Sequence, residues 1–320
     1  MHGFRKGTWR ILSLGAPSWM FSSILNRKGI QMAHKKLQRV LAVLVLGLAS
    51  TTFPAVTHAT HSWGGYHWAR TTPQFTLKLG DNLTSADWKG HLAQTSSDWN
   101  SGNSAVLTAI VAGTSNKRCS MVGGTTQVCN SRYGSNGWLG LASINLTGGT
   151  HITQGSAKMN DTYFDTATYN NTNEREHVMC QEVAHTFGLD HQSTDGSSQN
   201  SCMDYFSNTG ANATSTLSTK PNAHDFAELN TIYAHLDSTS TVAALAMAAV
   251  AANARGQGAS DDVDVTDDPN SWGQLISQDA HGRSSTYERY NRDGSKTITH
   301  VFWTIEAAAG CPGCDHRYDH

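Results

Sequence analysis

Apolar and polar residues alternate in "PQFTLKLGD" (73–81), the pattern of a half-buried strand that ends in a turn. The period then lengthens. In "TSADWKGHLAQTSSDWN" (84–100), Trp88, Leu92 and Trp99 recur at helical spacing behind a Thr/Ser start, which predicts a helix. "AVLTAIVAG" (105–113) is a short continuous apolar run, as in a buried strand, and the Gly-, Ser- and Cys-rich stretch 119–137 reads as a loop or hairpin. "GWLGLASINL" (137–146) and "GTHITQGSAKMN" (149–160) read as strands divided by "TGG". "TNEREHVMCQEVAHTFG" (172–188) is a helix that Thr172 can cap, with acidic residues in its first turns and Gly188 as its stop. Mostly loop follows, then a second helix in "NAHDFAELNTIYAHLD" (222–237), with Phe226, Leu229, Ile232 and Tyr233 on its apolar face. Near the end, two alternating runs flank "NRDG" in "SSTYERYNRDGSKTITHVFWT", a β-hairpin signature.

The order β-α-β-β-β-α predicts an α/β (α+β) domain with a mixed twisted sheet over residues 60–238. The Ala-rich and acidic stretch 239–272 reads as a linker, and 273–320 as a small C-terminal β-hairpin appendage. The Ala-rich run is too short for a membrane span.

The beginning of the chain reads differently. Lys35, Lys36 and Arg39 precede the ten-residue apolar run Val40–Ala49, and "THA" (57–59) suits a small-residue cleavage site. This is the layout of a secretory signal peptide starting at Met32 and cut after Ala59, which predicts a secreted protein without stable membrane insertion. Eight of the 23 Lys and Arg, and none of the 25 Asp and Glu, fall in residues 1–59, so the rest carries a net charge of −10. That charge argues against nucleic acid or an anionic membrane as a partner.

Six cysteines, all beyond residue 59, suit disulfides in an oxidising compartment. Cys119–Cys129 is a plausible local pair, Cys180–Cys202 would staple a helix to the loop after it, and Cys311–Cys314 would be a tight pair. "CPGCDHRYDH" also holds metal-donor residues, with His316 and His320, although a lone CxxC at a chain end is a weak signal.

Residues 180–192, "CQEVAHTFGLDHQ", carry the chemistry. On a helix, Gln181 and His185 are one turn apart and share a face. Gly188 permits a sharp turn that can bring His191 back to the same point, and Glu182 is close enough to reach a water bound there. Three ligands, an open position and a nearby carboxylate form the plan of a catalytic zinc site.

The segment "QEVAHTFGLDH" resembles the metzincin signature H-E-x-x-H-x-x-G-x-x-H, with Gln181 in place of the first histidine. "SCMDY" (201–205) is similar to the Met-turn of that family, which places Met203 under the metal and Tyr205 beside it. "WLGLASI" followed by "HITQGSAKMND" resembles the edge strand of the matrixin-like branch, where substrate adds as an extra strand. The resemblance covers roughly residues 73–237. It implies one catalytic Zn2+ held by Gln181, His185 and His191, with Glu182 as general base and Tyr205 assisting. The implied activity is that of a secreted, monomeric endopeptidase acting on polypeptides. With no cysteine between residues 60 and 118, a thiol-switch propeptide is not expected.

Three readings of Gln181 stand. Its amide oxygen ligates the metal, more weakly than imidazole. Or His177 substitutes, although it sits ~12 Å along the axis from His185 and fits better on the helix surface or behind the ligands. Or the site is degenerate and the chain is a non-catalytic extracellular peptide-binding protein on the same fold. Among the smaller expectations, Asp190 supports the histidines and the aromatic residues of "WGGYHW" (63–68) pack against the sheet.

Overall fold

The computed structural model describes residues 61–114, 118–242, 264–279 and 284–310. The leader, most of the Ala-rich run, and Cys311, Cys314, His316 and His320 lie outside the described residues. No helix among the described residues is long and apolar enough to cross a membrane.

Strands β1 (His67–Trp68), β2 (Phe75–Asn82), β3 (Val106–Ala112), β4 (Thr125–Ser131), β5 (Trp138–Thr147) and β6 (His151–Asn160) are joined by β7 (Gln274–Gln278), β8 (Ser284–Tyr290) and β9 (Lys296–Trp303) in one sheet. The order is β3-β2-β4-β6-β5-β9-β8-β7, with β1 paired to β6 off this path. From β3 to β6 the pairing is parallel, and from β6 to β7 antiparallel, so the mixed α/β class holds.

The helices follow their apolar stripes. In α1 (Ala86–Asn100) Trp88, Leu92 and Trp99 are buried, and Ser85 caps the start by accepting from the Trp88 amide. A short α2 (Asp161–Phe164) leads to α3 (Thr172–His185), whose cap is Asn171 rather than Thr172: its side chain accepts from the Glu174 amide. Helix α4 (Ala223–Ile232) opens with a reciprocal capping box between Asn222 and Asp225. After β9 the chain ends its described course in α5 (Ile305–Gly310).

Two sequence expectations change. The Cys-rich stretch contains β4, fully inside the sheet, because Val128 and Cys129 bury where the sequence offers few other apolar residues. The C-terminal hairpin forms as expected but is no separate appendage. Strand β9 pairs along β5, with Ala142 opposite His300 and Gly140 opposite Phe302. Its period-2 alternation sends Ile298 and Phe302 into the main core, and Val301 and Trp303 into a second core with Trp138, Leu141, Val265, Trp272 and Tyr287. Val265 and Trp272 belong to the stretch that reads as linker, yet both are buried there. The described residues accordingly form one compact unit.

Candidate metal centre

Helix α3 carries Glu182 and His185 inward; both are fully buried. Gly188 then turns the chain with φ +99, and a Cβ there would fall 1.9 Å from the Tyr66 carbonyl oxygen, so only glycine passes. The turn delivers His191, 9% exposed, to His185, their ring centroids 4.8 Å apart. This much agrees with the sequence reading.

The third imidazole comes from elsewhere. His300 on β9 stacks on His185 at 4.0 Å and meets His191 at 4.2 Å. One ring nitrogen from each of His185, His191 and His300 lies within 4.8 Å of the others. Sequence reading missed His300 because it lies 115 residues beyond His185 in a segment set aside as an appendage. The available signal was its position between Ile298 and Phe302, on the apolar face of a strand.

Hydrogen bonds prepare the cluster for a cation. His185 Nδ1–H donates to the Leu189 carbonyl at 2.8 Å, which fixes the tautomer and leaves Nε2 bare. Nε2 of His185 and Nε2 of His191 are buried without a protein partner, as are both ring nitrogens of His300 by hydrogen-bond geometry. Asp190 Oδ1 accepts from the His191 amide at 2.8 Å and lies 3.4 Å from His300 Nε2, the supporting role expected of it. Burial pushes the pKa of His185 and of His191 well below the ordinary range, with the neighbouring His300 adding to the effect. Neutral imidazoles with bare nitrogens are what a metal ion requires. Trp63 closes one side, edge-on to His185 and His300 at 5.6 and 5.4 Å, and Tyr205 closes another, 4.2 Å from His191.

Gln181 faces a different task. Its Nε2 donates to the carbonyls of Cys202 (2.8 Å) and Asp204 (2.9 Å), so the side chain ties α3 to the Met-turn. The two carbonyls fix which end of the amide is nitrogen, and Oε1 is left buried without a partner. Met203 is fully buried in the main core. The Cys180–Cys202 disulfide makes the same connection covalently, and Cys119–Cys129 forms as well. His177 is neither a ligand nor a helix-surface residue: fully buried, its ring bridges the Asn208 side chain (3.1 Å) and the Asp204 carbonyl (2.9 Å).

Glu182 projects towards β5. Its two carboxylate oxygens are buried without partners, and desolvation pushes its pKa well above the ordinary value. A Cβ at Gly140 would sit 2.4 Å from Glu182 Oε1, so this glycine makes the room the carboxylate occupies. The β5 edge expected to receive substrate is taken by β9 over Trp138–Leu146. Tyr205 Oη reaches the Val301 carbonyl of that strand at 3.4 Å.

The chain matches no protein-family model and no curated protein. Among solved structures it is similar to myroilysin, at 14% identity over 51% of this chain and 82% of that one, with a TM-score of 0.30. It is also similar to high choriolytic enzyme 1, a hatching-enzyme zinc protease from Oryzias latipes (Medaka fish). That likeness is 10% identity over 52% of this chain and 94% of that one, with a TM-score of 0.30.

Proposed function

We propose that the chain is a secreted, metal-dependent endopeptidase whose ion is held by His185, His191 and His300. The observation that supports this is the convergence of three buried imidazoles from two distant segments, with Nε2 of His185 and of His191 buried and without a hydrogen-bond partner. Leaving that many buried polar atoms unmatched costs roughly 1–3 kcal/mol each, which a bound cation removes. Imidazole donors suit Zn2+. Gln181 buttresses the Met-turn in this reading, and His300 takes the place the metzincin resemblance assigns to it.

His185, His191 and His300 would hold the ion, which when bound would supply Lewis acidity and a nucleophilic water at neutral pH. Glu182, one turn from His185 on α3, is the candidate general base: with a cation in the cluster favouring its ionised form, its carboxylate would take the water proton and pass it to the departing amine. Its carboxylate is fully buried and lies against Gly140. Tyr205 donates its hydroxyl to the developing oxyanion, exchanging the Val301 contact for it. Because β9 fills the β5 edge, a polypeptide substrate does not dock by adding a strand there.

Elemental analysis of the purified protein, paired with cleavage of casein, tests the proposal. Glu182→Gln is expected to abolish cleavage while keeping the metal, and His300→Ala to lose one metal ion per chain together with cleavage. A His300→Ala protein with full metal content and unchanged rate would overturn the ligand assignment. A metal-loaded parent protein inert towards unfolded polypeptides would overturn the activity.

A further inference from the structure

On another part of the surface, three histidines surround a single carboxylate oxygen. His67 Nε2, His151 Nε2 and His235 Nε2 lie 3.5, 3.2 and 3.6 Å from Asp237 Oδ1. His67 Nε2 and His235 Nε2 are themselves 3.1 Å apart. None of these residues belongs to the cluster already described. They come from β1, from the start of β6 and from the segment after α4, and β1–β6 pairing sets His67 directly opposite His151.

We propose that His67, His235 and Asp237 form a second metal site, structural in role, for Zn2+ or a similar divalent transition metal. The donor separations carry the argument. Four ligands at ~2.0–2.1 Å around tetrahedral zinc stand about 3.3 Å from one another. The three edges here, 3.1, 3.5 and 3.6 Å, scatter around that value. The donor set of two imidazoles and a carboxylate is one that zinc accepts, and a water can complete it.

The surroundings are organised as for ligands. His67 Nδ1–H donates to the Gly65 carbonyl at 2.9 Å, so its Nε2 is a lone pair when the ring is neutral. That lone pair faces His235 Nε2, and the two nitrogens fit together only with a proton or a cation between them. Asp237 is oriented from behind: Oδ2 accepts from the Arg70 amide at 2.9 Å, which turns Oδ1 towards the imidazoles. The Asp237 amide in turn donates to the Arg70 carbonyl at 2.8 Å. His151 supports the carboxylate as a hydrogen-bond donor and acts through Asp237. A plain hydrogen-bond cluster asks one oxygen to serve three imidazoles; a metal ion uses the same atoms without surplus.

An ion here would fasten the segment entering the domain to the segment leaving α4. The consequence reaches the first centre through backbone, because the Tyr66 carbonyl, next to His67, is the atom packed against Gly188. The second site would stiffen the turn that presents His191.

The test uses the full chain carrying His185→Ala and His191→Ala, which removes the first centre. Dialysis against Zn2+ and elemental analysis are expected to give one ion per chain, and Co2+ substitution a tetrahedral d–d spectrum. Adding His235→Ala should abolish both; this side chain is 55% exposed, so its loss does not endanger folding. Adding His151→Ala instead should weaken Co2+ binding about 10–100-fold without changing the stoichiometry. A doubly substituted protein that binds no metal, or one that keeps its ion after His235→Ala, would overturn the second site and leave the first untouched.

Discussion

In the proposed centre, Gln181 and Gly140 act through their neighbours: Gln181 through the Cys202 and Asp204 carbonyls and Gly140 through the room it leaves for Glu182. Because both hydrogens of the Gln181 amide go to carbonyls of the Met-turn, restoring a histidine there is not a repair. Gln181→His removes donors from two buried acceptors, and urea denaturation in chelator should show a loss of about 1–3 kcal/mol. Casein hydrolysis should not rise above the parent; a large gain would show that position 181, not 300, completes the centre. Gly140→Ala drives a methyl into Glu182 Oε1 and Val178, 2.4 and 2.7 Å from where its Cβ would be. Overpacking of this kind costs about 1–3 kcal/mol. The same denaturation assay should record it, and the displaced carboxylate should lower the hydrolytic rate more than tenfold with metal content unchanged.

At the scale of elements, α3 and β9 carry the site, and they differ in how readable they were. Helix α3 announces itself through local signals: acidic residues in its first turns, a glycine stop and candidate ligands at helical spacing. The pairing of Cys180 with Cys202 is legible for the same reason, since both flank that motif. Strand β9 is equally legible as a strand, but its partner is not. Pairing of β5 with β9 joins residues 150 or more positions apart, and a period-2 pattern reports only that one face is buried, not against what. The sequence therefore does not bring His300 to His185 and His191, and the edge of β5 reads as free. Helix α3 also contains a group with a pH signature. Glu174 is fully buried, its Oε2 accepting from the Asn208 amide at 2.6 Å, and burial raises its pKa to about 7. A raised carboxyl pKa means the folded protein holds the proton more tightly than the unfolded chain. Its contribution is therefore complete below the ordinary carboxyl range and is lost as pH rises from about 4.5 to about 7. The loss amounts to about 3 kcal/mol at most. Glu174→Gln, which keeps an acceptor for Asn208, should remove this decline when denaturation midpoints at pH 5 and pH 8 are compared with those of the parent.

For the molecule as a whole, the question is whether the C-terminal hairpin is docked on the domain or is part of it. Strand β9 lies between β5 and β8, buries Ile298 and Phe302 in one core and Val301 and Trp303 in the other, and brings His300 to the histidines of α3 and its turn. A segment with that many shared contacts opens only when the sheet opens. Hydrogen exchange distinguishes the two cases. Amides of Lys296–Trp303 should exchange as slowly as those of His151–Asn160, with the same dependence on denaturant. A hairpin that is merely docked would exchange through a separate, cheaper opening. Metal sharpens the contrast, because an ion bridging α3 and β9 binds the folded chain alone and stabilises it by mass action. Added Zn2+ should slow exchange in β9 of the parent protein, and this slowing should be smaller in β9 of the His300→Ala variant, which breaks that bridge. If β9 exchanges ahead of β6 and Zn2+ does not slow it, the hairpin is a docked cover over the β5 edge rather than a wall of the site.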